Sequence, residues 1–210
     1  MNCKLCRYVE CGSAGANGER SFYYCPQCGL IFVSPAEYVS FDLEKMRYCH
    51  HDNSASSKGY VSYLTGVARF IDDIPIENPD ILDFGSGYDY VLTRILREKG
   101  FGCAPYDPLY DIGKENLSKT YDIVILCETI EHLRELSAEL KLIGRLCKPD
   151  GYVVIHTMLY DKRENIAQWW YALDETHINF FNIRTLQYLS VLMNKKIVHS
   201  NCRNTVILGP

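Results

Sequence analysis

Three groups of residues in this 210-residue chain have the types and spacings to do chemistry. The first is Ile81-Leu82-Asp83-Phe84-Gly85-Ser86-Gly87, an apolar run ending in glycines, followed by an apolar helical pattern from Val91 to Leu96 and by Asp107 twenty residues past Gly87. Glycines at a strand end let backbone press against a ligand, and a side chain at Gly85 or Gly87 would block that approach. Asp107 closes a second short apolar run, Phe101 to Tyr106, where a carboxylate can accept both hydroxyls of a ribose. Together they point to an adenosine-containing cofactor. The second group is Glu128, Glu131 and His132, whose i, i+3, i+4 spacing after another apolar run predicts one face of a helix start, turned toward a cleft. His132 and His177 lead the candidates for removing a proton there. The third group is Cys3-x2-Cys6 and Cys25-x2-Cys28, with eighteen residues between the pairs, the spacing of a zinc ribbon. Pro26 presets the second turn and Gly29 releases it, and four thiolates close a tetrahedral structural site. Reduced structural cysteines or a redox pair are the alternative.

Absent residues narrow the cofactor. A pyrophosphate loop of the G-x-G-x-x-G kind needs a third glycine at position 90, where the ring of Tyr90 would obstruct helix packing and phosphate approach, so NAD and FAD are disfavoured. S-adenosylmethionine has no phosphate to cradle, and a D-x-G-x-G loop suffices, with Asp83 organising the loop and meeting the charged methionine end. Here the chain resembles the class I methyltransferases. Tyr121 to Leu133 is similar to that family's fourth strand running into its next helix. Leu142 to Ile155, with Lys148-Pro149-Asp150-Gly151, is similar to its turn into strand five. Over nearly its full length the chain resembles the small zinc-ribbon members found in bacteria, through Cys3 to Cys28, His50 to Asn53, Asp83 to Gly87 and Thr176 to Phe180.

The resemblance implies S-adenosylmethionine held by Asp83, Gly85, Ser86, Gly87, Tyr88, Asp107, Cys127 and Glu128, with His132, His177 and Glu131 as catalytic groups. It implies O- or N-methylation of a small-molecule acceptor, a sugar or other metabolite. Two departures stand out. Asp89 replaces the family's third glycine, and only thirteen residues separate Asp107 from Tyr121, too few for a helix plus a third strand, which leaves the adenine contact unassigned. The E-x-x-E-H pattern with His177, Phe180 and Phe181 also resembles the metal-binding element of small-RNA 2′-O-methyltransferases and of ubiquinone-pathway O-methyltransferases. That likeness implies a divalent ion at Glu128, Glu131, His132 and His177. The alternative is that the carboxylates favour a helix N-terminus while His132 packs.

These groups need elements to hold them. Alternating periodicity predicts strands at 80–84, 101–106, 122–127 and 152–157 and helices at 89–99, 132–147 and 183–193, with further helical spacing from Tyr60 to Phe70. Lys196 to Ser200 and Thr205 to Leu208 predict a closing antiparallel hairpin. The fold class is therefore α/β, a doubly wound, mainly parallel, Rossmann-like sheet shortened around strand 3, with a small N-terminal zinc ribbon. Residues 1–34 are expected to be the ribbon, with strands at Ser21 to Tyr24 and Leu30 to Val33, residues 35–57 a connector or lid, and 58–210 the methyltransferase domain. Trp169, Trp170 and Tyr171 fall where the fold builds an acceptor pocket, or else cover a sheet edge. His50 and His51 enter the cleft with the lid, or lie solvated.

Composition excludes several classes. With 47% apolar and 23% charged residues the chain is ordinarily globular, and no run approaches the eighteen apolar residues of a membrane span. The N-terminus lacks an export signal and the remaining cysteines read as small core residues, so cytoplasm is the expected location. A net charge of −4 disfavours nucleic acid, and residues 1–57 carry five Lys or Arg against six acids. An RNA or protein methyltransferase that uses the ribbon for recognition is the competing reading, and an inactive cofactor-binding scaffold is another.

Overall fold

The structure, a computed structural model, describes residues 1–18, 20–50, 53–161 and 165–210, without the side chains of Cys49 and His50. The chain runs β1 (Gly12–Ala16), β2 (Ser21–Tyr24), β3 (Ile31–Val33), α1 (Phe41–His50), α2 (Lys58–Asp72), β4 (Asp80–Phe84), α3 (Val91–Glu98) and β5 (Gly102–Tyr106). It continues with β6 (Tyr121–Cys127), α4 (Leu136–Leu146), β7 (Cys147–His156), β8 (Asn179–Phe180), α5 (Ile183–Leu192), β9 (Lys196–Ser200) and β10 (Thr205–Gly209).

Six strands make the main sheet in the order β5-β4-β6-β7-β10-β9. The first four are parallel, and β10 joins β7 and β9 antiparallel, giving the α/β fold and closing hairpin read from sequence. The central strands are apolar because both faces are covered: Ile123, Val124, Ile125 and Leu126 are fully buried. Helix α2 turns Leu64, Val67, Ala68 and Ile71 inward at helical spacing, and α3 packs Leu92, Ile95 and Leu96 against Ile81 and Ile123. No helix among the described residues is long and apolar enough to cross a membrane.

No third strand forms between Asp107 and Tyr121. A bridge from Asp107 to Ile112 and a 3-10 turn at Lys114–Ser118 fill that interval, so β5 is the sheet's edge. Arg97 Nε donates to the Cys103 carbonyl at 2.8 Å, and Asn116 Nδ2 donates to the Pro105 carbonyl at 2.8 Å.

A second, antiparallel sheet has the order β1-β2-β3-β8. Its last strand comes from far along the chain, pairing Ile31 with Phe180 and Phe32 with Asn179. Neither β1, with the sequence GSAGA, nor the two-residue β8 carries the β-branched and aromatic run that marks a strand, which is why both escaped the sequence pattern. Three other boundaries differ. The connector holds the ten-residue α1. Strand β7 starts at Cys147, five residues early. Helix α4 starts at Leu136 instead of 132 because Leu133 is extended (ψ 113°) and ends a short 3-10 turn at Ile130–His132.

Candidate functional site

The glycine loop joins β4 to α3 at the carboxyl end of the sheet, and its hydrogen bonds define what it can bind. Gly85 N and Ser86 N both donate to the Tyr106 carbonyl, at 2.7 and 3.1 Å, and Gly87 N donates to Asp107 Oδ2 at 2.8 Å. A phosphate would need those N–H groups free, so this loop is not a phosphate cradle. The two glycines serve different ends. A Cβ at Gly85 (φ +85°) would lie 2.3 Å from the Thr129 side chain, whereas one at Gly87 (φ +71°) would meet nothing within 4 Å. Gly85 therefore packs against the protein itself, and Gly87 faces open space that a ligand can fill. Ser86 Oγ is buried in the same loop with no hydrogen-bond partner among the described residues. An orphaned hydroxyl beside an open glycine and a carboxylate fits a nucleoside with polar substituents.

Asp107 is buried. Besides Gly87 it accepts from Leu109 N and Tyr110 N at 2.9 and 3.3 Å, so its first work is to brace the loop. Burial raises its pKa, opposed by these backbone donors. Asp83 does not open toward the methionine end as expected. At 2% exposure it accepts from Thr93 Oγ1 at 2.8 Å, tying β4 to α3, and burial pushes its carboxyl up to about 6. Tyr88 is exposed, edge-on to Tyr110 at 5.8 Å. Asp89, which stands at the family's third glycine, pairs with Arg94 at 2.6 Å and accepts from Ala55 N at 2.7 Å, so the connector is fastened over the loop. His51 and Asp52 lie outside the described residues, as does the His50 side chain.

Across the cleft, Glu128 follows Cys127 at the end of β6 with a left-handed backbone (φ +48°). The helical-face reading of Glu128, Glu131 and His132 fails for that reason, and the side chains separate. Glu128 accepts from Tyr63 Oη at 2.8 Å and its other oxygen lies 3.1 Å from Tyr171 Oη, with its side chain 35% exposed. Glu131 is fully buried, and its Oε1 accepts from the same Tyr171 hydroxyl at 2.5 Å. That hydroxyl also meets Thr157 Oγ1 at 3.0 Å. Burial and mutual repulsion raise the pKa of Glu128, and burial raises that of Glu131, so the pair retains a proton more readily than ordinary carboxylates.

Glu131, His132 and His177 converge, with one ligand atom of each lying within 4.8 Å of the others. His132 Nδ1 contacts the Thr176 carbonyl at 3.0 Å, and His177 Nδ1 contacts the Tyr171 carbonyl at 2.7 Å. A carbonyl only accepts, so each Nδ1 carries the proton and each Nε2 keeps its lone pair. Burial holds His132 near 4 and His177 near 3, well below an ordinary imidazole. Glu131 Oε2 has no hydrogen-bond partner among the described residues. Two lone pairs and an unpaired carboxylate oxygen are a donor set a divalent ion fits, and Glu128 is not part of it. Rings crowd around: His132 lies edge-on to His177 at 4.8 Å and to Tyr48 of α1 at 5.5 Å, and Tyr171 covers His177 at 4.1 Å. Of the predicted aromatic wall, Trp169 is buried against Phe180 and Trp170 is 62% exposed.

Several residues here carried no sequence signal. Tyr63 looked like one more packed position of a helix. Thr129 and Thr157 had no motif, and His156, which contacts Thr205 Oγ1 at 2.8 Å and approaches Glu128 at 3.9 Å, sat inside a strand.

The four knuckle cysteines form a separate cluster. Cys3 and Cys28 Sγ lie 3.5 Å apart and Cys6 and Cys25 Sγ 3.4 Å apart, and Leu5 N and Cys6 N point at Cys3 Sγ. Thiolates at about 2.3 Å from a tetrahedral zinc would sit roughly 3.8 Å from one another, so the cluster fits the ion. Cys11 turns to the Tyr8 carbonyl instead.

No curated protein matches the chain in sequence. By structure it is similar to a 1,6-didemethyltoxoflavin-N1-methyltransferase from Burkholderia thailandensis, with S-adenosylhomocysteine bound, at TM-score 0.55 and 14% identity over 95% of this chain and 97% of that one. It is also similar to an O-methyltransferase family protein from the same organism (TM-score 0.54, 14% identity, 71% of this chain and 56% of that one). A calicheamicin-biosynthesis methyltransferase, also bound to S-adenosylhomocysteine, matches at TM-score 0.50 and 12% identity, over 71% of this chain and 54% of that one. The chain thus spans little more than half the length of the latter two. At such identities the likeness speaks for the fold. The family profile described as "Methyltransferase domain" matches residues 58–190, well over half of the chain, from α2 through the glycine loop to α5. The chain therefore belongs to the methyltransferase-domain family.

Proposed function

We propose that the protein transfers a methyl group from S-adenosylmethionine to an oxygen or nitrogen of a small-molecule acceptor. The observation that carries this reading is the glycine loop, with its N–H groups spent, Gly87 open and Ser86 Oγ unpaired among the described residues, a cradle for a nucleoside that carries no phosphate. The relative matched along its whole length is named as an N1-methyltransferase with S-adenosylhomocysteine bound, which supports the same reading. Cys127 and Glu128 close the donor side at the end of β6. The sulfonium already activates the carbon, so the protein's part is to align the acceptor and take its proton. The acceptor side is built from Tyr63, Glu128, Glu131, His132, Tyr171 and His177, and without an ion in the cleft the Nε2 atoms of the two histidines are its free proton acceptors. A sugar or other hydroxylated metabolite suits these hydrogen-bonding groups.

The same reading assigns residues 1–34 to a zinc ribbon with a structural ion on Cys3, Cys6, Cys25 and Cys28, residues 35–57 to a lid over the cleft, and 58–210 to the catalytic domain. It places a divalent ion on Glu131, His132 and His177, where it would lower the pKa of a bound acceptor hydroxyl. Two imidazoles and one carboxylate favour manganese, iron or zinc over magnesium.

Calorimetry with S-adenosylhomocysteine tests the donor site, and micromolar binding is expected. No binding at millimolar ligand would end the reading. Manganese, which thiolates bind poorly, reports the cleft site by electron paramagnetic resonance without displacing ribbon zinc. If no protein-bound manganese signal forms, or if His177→Ala leaves that signal intact, Glu131 and the two histidines are not its site, and the histidines act without metal.

A further inference from the structure

The N-terminal cysteine-rich segment contributes more to the cleft than its own fold. Arg20, between β1 and β2, is 9% exposed, and its guanidinium lies 5.6 Å from the Phe22 ring. Nη1 donates to the Ala172 and Asp174 carbonyls, both at 2.9 Å, and Nη2 donates to the His177 carbonyl at 2.5 Å. One buried cation thus gathers three carbonyls of a six-residue stretch. That stretch starts next to Tyr171, whose hydroxyl joins the two glutamates, and ends at His177. Lys4, between the cysteines of the first knuckle, does the like for the opposite wall. Its Nζ donates to Asn179 Oδ1 at 2.9 Å and to the Leu133 carbonyl at 3.4 Å, and Asn179 Nδ2 donates to that carbonyl at 2.8 Å, just past Glu131 and His132. Ile178 N closes the gap by donating to the Glu131 carbonyl at 2.9 Å. Among the described residues, no hydrogen bond or ion pair runs from Arg20 or Lys4 to Gly85, Ser86, Gly87 or Asp107.

We propose that Arg20 is a positioning residue for methyl transfer, through which the N-terminal segment sets His177 and Tyr171 against Glu131 while leaving donor binding to the glycine loop. This rests on the function proposed above. Charge-assisted bonds to three carbonyls fix the loop's backbone, and the backbone in turn supplies the acceptors that hold His177 and His132 in one tautomer each. Arginine suits the task because its planar fork presents its donors in fixed directions, so less side-chain freedom is lost per bond than with an ammonium on a flexible stem. The segment's role is then to shape the acceptor half of the cleft, and its metal would matter for chemistry only through that shape.

The test uses the full-length chain with zinc in the cysteine cluster and no ion supplied to the cleft, and it needs no acceptor. Long-range proton–nitrogen spectra of the imidazoles report which ring nitrogen of His177 carries the proton. They are read alongside zinc content and S-adenosylhomocysteine affinity. In Arg20→Met the expected result is one zinc per chain, affinity within twofold of wild type, and replacement of the fixed Nδ1–H pattern of His177 by an averaged one. Arg20→Lys should fall between. An unchanged His177 pattern in Arg20→Met overturns the proposal. So does loss of zinc or donor affinity together with the pattern, since Arg20 would then only hold the fold. If Arg20→Met does not fold, Arg20→Lys decides alone, a partial change supporting the proposal and none overturning it. Failure of the wild-type chain to bind S-adenosylhomocysteine would end the functional reading while leaving the His177 pattern to be scored on its own.

Discussion

The donor half and the acceptor half of the cleft are built on different plans. The donor half is largely local: β4, its glycine loop and Asp107 just past β5 all lie within residues 80–107 and brace one another through backbone bonds, with Cys127 and Glu128 closing it from the end of β6. The acceptor half takes Tyr63 from α2, Glu128 to His132 from the turn after β6, Thr157 from beyond β7 and Tyr171 to His177 from a long insertion, and is clamped by Arg20 and Lys4. A local site survives damage elsewhere, whereas an assembled one inherits the stability of everything that holds it.

The sharpest way to break that contrast is to unmake the cysteine cluster. Cys28→Ser should drop zinc below one per chain and lower the Tm by roughly 10 °C, which corresponds to about 3–5 kcal/mol in a chain of this size. Donor affinity measured by calorimetry should stay within a few-fold. A parallel collapse of donor binding would mean the two halves are one unit. Next come the two glycines. Gly85→Ala meets Thr129 and should cost about 3 kcal/mol of stability, whereas Gly87→Ala should cost only about 1 kcal/mol yet weaken S-adenosylhomocysteine tenfold or more. Denaturant melts and calorimetry on the pair separate these effects, and equal losses of stability would contradict the division of labour. Asp107→Asn should weaken the donor by about 1.5–3 kcal/mol through lost charged hydrogen bonds to Gly87 and the ligand. The smallest effect concerns His156. Burial holds it near 4, so the folded state binds fewer protons at His156 than the unfolded one between about pH 4 and 6.5, and the His156 contribution to stability should rise with pH through that window and then level off, against the opposite slope of the raised carboxyls of Asp83 and Glu128. His156→Asn should flatten that slope in urea melts taken at several pH values, and an unaltered slope would assign it to other groups.

How far the sequence could be read follows from the same contrast. The parallel sheet, the glycine loop and the cysteine pairs were visible because each is a short-range pattern: an apolar strand into Gly85 and Gly87, or two thiolates three residues apart. The missing third strand was visible too, since thirteen residues cannot hold a helix and a strand. The acceptor half was legible only in its motif residues. Glu128 and Glu131 were read as sharing a helix face, but the left-handed backbone at Glu128 sends one carboxylate to Tyr63 and buries the other beside the histidines. Asp83 looked like a ligand group and proved to be a bolt between strand and helix, because the position of Thr93 on α3 is a fact of packing. Arg20 counted in the sequence only as one of five basic residues in the first 57. A lone arginine in a turn has no pattern until the carbonyls it gathers, more than 150 residues away, are brought to it.

The shortened sheet has one last consequence. Losing a strand ordinarily exposes a row of unpaired peptide groups that invites a neighbouring molecule to add its own strand. Here Arg97 and Asn116 already occupy the outward carbonyls of Cys103 and Pro105, and Pro105 has no N–H to offer. The border at β5 is thus a poor template for aggregation, and self-association of this protein is expected to use another face.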